Sequence, residues 1–484
     1  MAEHPKVLIS GAGPVGLTLA NELVRHGIPV RLIDKAAHRT DKSKALVLWS
    51  RTLELFDDAG YARDFVAAGV PAHGARISTG TEVVAEISFD VIDSRFAYAL
   101  MIAQSETERL LEERLVAAGV TVEREVELTG FADTGSSVRA TLARPSGASE
   151  TVEVDWLVGC DGAHSAVRHG LGFEFEGSTL QSHWALADGH MSGLSPLDHL
   201  HIFWHRDGIL AFFPIGGDRW RVIADLGPAS GADTHPDPTL DQINELMARR
   251  GSPSIVMSDP VWLAAFRINE RKVRDYSKGR VFLAGDAAHI HSPAGGQGMN
   301  TGMQDAFNLA WKLALVIEGA ANPSLLDSYS RERSAVGDRV LRNAGLMTEA
   351  ATLRNPLLQD VRNAILRFAA GFPQIRHRVA DQLAEMDIGY PDSPLTARGT
   401  DIPAGPKPGQ RWPHPLPARA SGRRFTAIGP AALVAALEAK FPRLVTTVPE
   451  GDSLRLIRPD GYVGFAGTPG DIARAETYLA SLAC

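Results

Sequence analysis

The sequence predicts an α/β protein with an inserted antiparallel sheet and a small C-terminal α/β module, on three observations. Strand-like apolar runs pass into glycine turns and then into helical patterns at residues 6–34, 155–168 and 279–315. Between the second and third of these, "HLHIFWHRDGILAFFPIGGDRWRVIADL" (199–226) alternates apolar and polar residues about a Gly-Gly-Asp turn, the period of antiparallel strands. Beyond a proline-rich run, "FTAIGPAALVAALEAKF" and "LRLIRPDGYVGFAG" read as a strand, a helix and a hairpin turned at Pro459-Asp460-Gly461.

The first segment is a complete βαβ unit: strand Lys6–Ser10, the turn "GAGPVG", a helix over about Val15–His26, and strand Val30–Ile33 ending at Asp34. Gly11 permits the tight turn, Gly13 lets backbone approach a pyrophosphate, and Gly16 lets helix and strand pack closely; Pro14 and Val15 complete the ligand-facing turn. Asp34, 18 residues past Gly16, stands where an acid accepts hydrogen bonds from ribose hydroxyls. This is a Rossmann-like dinucleotide site, and the spacing leaves NAD and FAD both open.

The second and third segments repeat the plan with Asp161 in "DWLVGCDGAHSAVR" and Gly285-Asp286 in "GRVFLAGDAAH". All three acids end strands, the edge of an α/β sheet where ligands bind, so Asp34, Asp161 and Asp286 are expected along one elongated ligand. The alternative is that each acid caps the helix after it. The glycine turn "SPAGGQGMN" (292–300) opens a helix but lacks the lysine of a triphosphate loop.

Composition narrows the function classes. The chain has 484 residues, a net charge of −8 and no polybasic run, which argues against nucleic acid as a partner. Two cysteines without a CxxC pair suit a reducing cytoplasm. "MAEHPKVLIS" lacks the charged and apolar regions of a signal peptide, and no uninterrupted apolar stretch of membrane-spanning length appears.

Taken together, the GD segment, "GGQGMN" and "DAFNLAWKL" resemble the FAD-dependent aromatic hydroxylases, the single-component flavoprotein monooxygenases related to p-hydroxybenzoate hydroxylase and phenol hydroxylase, over nearly the whole chain. The resemblance implies that Asp34 and Lys35 meet the adenosine ribose, Val126 lies beside adenine, Asp161 lies near the pyrophosphate and Asp286 binds the ribityl chain. It nominates Gln104 as a cofactor contact and Arg51 as an arginine near the flavin, and puts Lys44 where the pattern usually has arginine. Pro293 would lie near the reactive flavin carbon. Backbone N–H groups around Gly298, Met299 and Asn300, with Gly296 in the same turn, would face the N1–C2 carbonyl edge, which is anionic in reduced flavin and suited to a helix N-terminus.

The same resemblance implies the reaction and the domains. NADH or NADPH binds transiently and reduces FAD, O2 adds to give a flavin C4a-hydroperoxide, and a phenolic or polycyclic aromatic substrate is hydroxylated without a metal. Arg39 and Lys42 lean toward NADPH. Residues 1–75, 100–180 and 270–390 would form the FAD domain, 76–99 and 181–269 the substrate sheet, 391–417 a proline-rich linker, and 418–484 a thioredoxin-like domain in a monomer or homodimer. His201, Phe203 and His205, which share one strand face, and Phe213 are the candidate substrate contacts. Where some phenol hydroxylases carry an ionisable residue, five positions before the arginine, this chain has Leu46.

Other readings start from smaller features. "HLHIFWH" offers His199 and His201 to a metal but no acid or cysteine to complete the set. "GDSL" (451–454) with "DAAH" (286–289) imitates a serine esterase in the wrong chain order, and "DRWRVI" departs from the Trp-x-Trp-x-Ile-Pro segment of flavin halogenases. A non-oxygenating FAD-binding sensor is the remaining alternative.

Overall fold

The computed structural model describes residues 5–40, 43–80, 82–228, 235–416 and 422–484. Lys42 and the boundary at 417–418 lie outside them.

Val7–Ser10, Trp156–Gly159 and Val281–Leu283 are apolar runs buried along their whole length, as strands covered on both faces must be. Among the described residues they form a six-stranded sheet with Val30–Asp34, Glu123–Arg124 and Ser277–Lys278, parallel except at the last of these. Val7–Ser10 lies between Val30–Asp34 and Trp156–Gly159, with Val281–Leu283 one strand further. Main-chain bonds carry the alignment past the strand ends: Gly11 donates to Ile33, Cys160 to Ser10 and Ala284 to Gly159. Three turns distant in sequence therefore meet at one edge. There the long helix Gly298–Ile317, buried from Asn300 to Leu315, approaches the first helix, Pro14–Arg25.

The inserted sheet has eight strands among the described residues, in the order 289–290, 256–272, 176–192, 219–228, 208–216, 199–205, 74–79 and 82–88. Its long strands thus begin at Gly74 and Glu176 and run to Lys272, a few residues outside the sequence-based boundaries, and the edge strand His289–Ile290 comes from the segment expected in the FAD domain. Register sorts its side chains. Phe213 pairs with Arg221 and Ala211 with Ile223, so these four share a face, whereas His201 pairs with Phe212 and Phe203 with Leu210 on the other. The second face packs against the helix Leu240–Arg250 through Phe203, Phe212, Trp220, Val222, Ile243 and Met247.

The C-terminal module is a strand (Phe425–Gly429), a helix (Ala431–Lys440), a parallel strand (Val445–Pro449), a hairpin (Leu454–Ile457 and Val463–Gly467) and a final helix (Ile472–Leu482), the thioredoxin-like order. The proline-rich run wraps it: Ala397–Arg398 adds an edge strand to Phe465–Ala466, and Trp412 donates to the Gly461 carbonyl. A buried charge cluster joins module and core. Glu332 accepts from both terminal nitrogens of Arg458 at 2.6 and 2.9 Å and from Lys312 at 2.8 Å. Burial pushes the Lys312 ammonium down to about 8 against the pull of Glu332. Among the described residues no helix is long and apolar enough to cross a membrane.

Candidate active site

Two cavities lie end to end along the sheet edge and share Gly13, Cys160 and Gly162. The narrower one, about 280 Å³, is lined by Gly11, Gly13, Asp34, Lys35, Val126 and Asp161. The wider cleft, about 480 Å³, begins at Pro14 and Val15 and passes Lys44, Gln104 and Asp286. It ends between the turn Pro293, Gly296, Gly298, Met299 and an apolar wall of Leu46, Val47, Met101, Phe213 and Ile223.

The glycine turn after the first strand is shaped for close approach. Gly11 has φ +102°, and a Cβ there would come within 2.4 Å of the Cys160 carbonyl oxygen. Asp34 accepts the Ala12 amide at 2.7 Å and the Ala36 amide at 2.8 Å, which braces the turn and leaves its carboxylate at the cavity wall. Asp161 accepts the Ala166 and Val167 amides with Oδ2, supporting the first turn of a helix whose N-cap is Ser165. Its Oδ1 is buried without a partner in the structure, and burial raises the carboxyl pKa.

Asp286 opens onto the wide cleft from a short turn in which Gly285 takes φ +60°. Surrounding protein raises its pKa by desolvation, opposed by His289 and Lys44. Gln104 ties the wall together, accepting from the Ala45 amide and donating to Glu108 at 2.9 Å. Arg39 is paired with Glu112 at 3.3 Å.

In the second glycine turn, the Trp49 indole donates to the Gly295 carbonyl at 2.8 Å. The first bond of the long helix runs from the Thr301 amide to the Gln297 carbonyl, so the Gly298, Met299 and Asn300 amides precede the helical ladder. The Asn300 side chain is turned away from the cleft. It accepts from the Trp49 amide and donates to the Val47 and Gly296 carbonyls, all at 2.9–3.0 Å, clamping the turn to the opposite wall. His291 lines the cleft with Nδ1 donating to the Ser292 carbonyl at 2.9 Å and Nε2 buried without a partner; burial lowers its pKa to about 4.

Four expected positions fall elsewhere. Arg51 is not at the cleft: it is buried against the C-terminal module, donating to Glu54 at 3.1 Å and to the Asp460 carbonyl at 2.7 Å, with its guanidinium 4.8 Å from the Tyr462 ring centre. His201, Phe203 and His205 lie on the sheet face opposite the cleft. His201 bonds the Pro196 carbonyl, Phe203 sits in the core under the 240–250 helix, and His205 lies 3.5 Å from Asp207. Of the substrate candidates only Phe213 reaches the cleft. The sheet contributes a residue the sequence reading passed over: Arg221 is buried at the cleft wall, held in a two-point pair with Asp188 at 2.7 Å and donating to the Lys44 carbonyl. An arginine inside an alternating apolar run was the available signal.

Behind the Gly285-Asp286 turn lies a second overlooked group. Asp305 accepts from Arg333 Nε at 2.6 Å, from the Gly285 amide at 3.0 Å and from His289 Nε2 at 2.8 Å. Burial opposes its charge, but Arg333 and His289 outweigh it and lower its pKa. His289 is thereby committed to Asp305, and Ser453 to Arg455, which leaves the esterase reading without a triad.

A parallel sheet whose edge carries a glycine cradle, three acids and an apolar end chamber defines a dinucleotide-dependent enzyme, and comparison with known proteins specifies it. The family model "FAD binding domain" matches residues 4–344. The chain is 40% identical over 416 residues to 6-methylpretetramide 4-monooxygenase of Streptomyces rimosus, covering 84% of this chain and 74% of that one. It is 34% identical over 414 residues to pentachlorophenol 4-monooxygenase of Sphingobium chlorophenolicum, covering 84% and 75%. Among solved structures it is similar to an anhydrotetracycline hydroxylase from Streptomyces rimosus, with a TM-score of 0.80, 29% identity and 99% of both chains covered. The chain belongs to the FAD-dependent aromatic hydroxylases, and it is a flavoprotein monooxygenase.

Proposed function

We propose that this enzyme hydroxylates a phenolic or polycyclic aromatic ring, using NADH or NADPH and O2. The observation that carries the reading is the continuity of the two cavities, from a glycine cradle flanked by Asp34 and Asp161 to an apolar chamber facing Pro293. The residues fit FAD: the backbone is open at Gly13, Asp161 holds an unspent buried oxygen, and the helix that opens at Gly298 presents unpaired amides. Bound FAD would supply the electron transfer and oxygen activation.

The chain's own residues hold and shield it. Asp34 and Lys35 would take the adenosine ribose, with Val126 beside the base. Asp161 would lie at the pyrophosphate, while Asp286 and Gln104 would hold the ribityl end. The Gly298 and Met299 amides would donate to the flavin edge that becomes negative on reduction, favouring the reduced form. Leu46, Val47, Met101, Phe213 and Ile223 exclude water from the reacting ring. Among the described residues lining the cleft, His291 has an acceptor nitrogen without a partner, and we assign it to the substrate hydroxyl. The two free cysteines suit a cytoplasmic setting, and the assembly would be a monomer or homodimer.

The test is NAD(P)H oxidation by purified FAD-loaded protein across a panel of phenols and polycyclic phenols, with product masses read for one added oxygen. Stimulated oxidation and a 16-dalton gain are expected. Bound FAD with no response to any phenol would reassign the chain as a flavin-binding sensor.

A further inference from the structure

The helix Pro356–Ala370 is amphipathic in the wrong sense for a helix covered only from within. Its inward face carries Gln359 and Asn363, both buried, with Leu366 and Ala370 packed on the sheet residues Ile77, Ala85 and Trp204. Gln359 donates to the Leu353 carbonyl, and Asn363 accepts from Arg362. Its outward face is apolar. Leu358, Val361, Ile365 and Phe368 lie on it at alternating steps of three and four residues, and the steps continue through Phe372 and Ile375 at the start of the next helix, Pro373–Leu383. The Phe368 and Phe372 rings meet edge to face with 5.0 Å between centres, so the stripe is continuous across the bend. These six side chains are 42–72% exposed, and Leu357 beside them is 71% exposed. A surface helix turns such a stripe to the core, so this one calls for a cover from outside the chain.

The area and the symmetry of the stripe say what the cover is. At roughly 150–200 Å² for a fully exposed large side chain, Leu357 and the six present about 600–800 Å² of apolar surface. That exceeds the roughly 300–600 Å² of the largest patch on a typical monomer and approaches the roughly 800 Å² that each partner gives to a stable interface. The stripe also reads alike in both directions. Val361 and Ile365 are equidistant from residue 363, as are Leu358 and Phe368, so an antiparallel copy lays Val361 on Ile365 and Leu358 on Phe368 twice over. Asp360 and Arg367, both exposed and one heptad apart, occupy the same flank of the stripe and straddle the same centre. A two-fold axis across the helix sets each flank against the same flank of the copy, which brings Asp360 to Arg367 reciprocally. Arg367 lies 2.7 Å from Glu82 within the chain, an exposed pair that competes weakly. Ala364, small and exposed beside the centre, lets the helix axes approach. An anionic lipid surface offers nothing to Asp360, whereas a second copy supplies its partner.

We propose that the outward face of the helix Pro356–Ala370 is the seam of a homodimer, packed antiparallel on the same helix of a second copy about a two-fold axis near residue 363. The apolar stripe forms the dry centre of the seam, and the reciprocal pairs of Asp360 with Arg367 fix its register.

The experiment is sedimentation velocity on the full-length, FAD-loaded protein at micromolar concentration, where a species of twice the mass of one chain is expected. Ile365→Asp, at a side chain 60% exposed, should keep the fold and the flavin absorbance. It should raise the dimer Kd by about a hundredfold, because each copy then places a charge in the centre of the seam. Ala364→Cys reads the register directly. In a Cys484→Ser background it should form an intermolecular disulfide on mild oxidation, since the axis sets the two positions within the roughly 7 Å between Cα atoms that a disulfide spans. Adding Ile365→Asp should suppress that cross-link. A monomeric wild type, a dimer that survives Ile365→Asp, or a dimer in which Ala364→Cys fails to cross-link overturns the proposal. Vesicles of phosphatidylglycerol and phosphatidylethanolamine that bind a monomeric wild type but not Ile365→Asp would give the face to a membrane and overturn it too. The aromatic-hydroxylase reading stands apart from all of these outcomes.

Discussion

Replacing Asp305 with alanine removes the group that joins three parts of the site. The carboxylate is fully buried and serves Arg333, His289 and the Gly285 amide, while Arg333 is itself 0% exposed. Without Asp305 the guanidinium keeps only the Tyr390 hydroxyl and the Thr301 carbonyl, neither of them charged. Leaving one partner of a buried ion pair uncompensated costs about 3–5 kcal/mol. At about 2 °C per kcal/mol, suited to a chain this large, Tm should fall by about 6–10 °C. FAD retention should fall as well, because the turn that presents Asp286 loses the acceptor for Gly285. Scanning fluorimetry at one heating rate, with FAD measured by absorbance after gel filtration, reads both. Asp305→Asn, which keeps an acceptor for Arg333, should fall between alanine and the wild type. An alanine variant within 2 °C of the wild type and equally yellow would refute the view that this pair holds the turn.

Asp286→Ala should fold normally and lose FAD on gel filtration, since its carboxylate opens onto the cleft; full retention would count against its cofactor role. Arg51→Ala should destabilise the docking of the C-terminal module by about 3 kcal/mol, through loss of a buried ion-paired group, and limited proteolysis should release that module sooner. The flavin potential should stay where it was, and a shift would restore the flavin contact that Arg51 was expected to make. Glu385 is buried against Thr301 and Gln304, with its pKa raised to about 7 by burial, which Thr301 and Arg333 only partly oppose. The folded chain therefore holds a proton that the unfolded chain releases near pH 4.5. That stability is present at acid pH and is lost as pH rises through about 7, by about 3 kcal/mol in all. Glu385→Gln should flatten this dependence and gain in Tm over the wild type from pH 5 to pH 8; parallel Tm curves would disprove the shift.

Much of the fold was legible because its signals are local. Strand, glycine turn and helix follow one another within 29 residues in the first segment, and the parallel sheet brings three such turns together by rule. The inserted sheet was legible as strands but not in its orientation. Both of its faces are covered, one by the 240–250 helix and one by the cleft and its neighbouring helices, so alternation could not show which face His201 or Phe213 would take. Local reading also failed where a side chain's partner is remote. Arg51 lies 409 residues from Asp460, and Asn300 lies 251 from Trp49.

By itself, then, the sequence determined the dinucleotide-binding unit and the order of the elements, because a glycine's permitted turn and a strand's periodicity are properties of short segments, while the resemblance of its motifs supplied the family and FAD. Only the tertiary structure decided which side chains face the cleft and which are spent on holding it. Asp305 with Arg333 and Asn300 with Trp49 became scaffold, while Arg221 and His291 emerged as lining. A side chain's role there depends on which surface packs against it, and that surface comes from elsewhere in the chain.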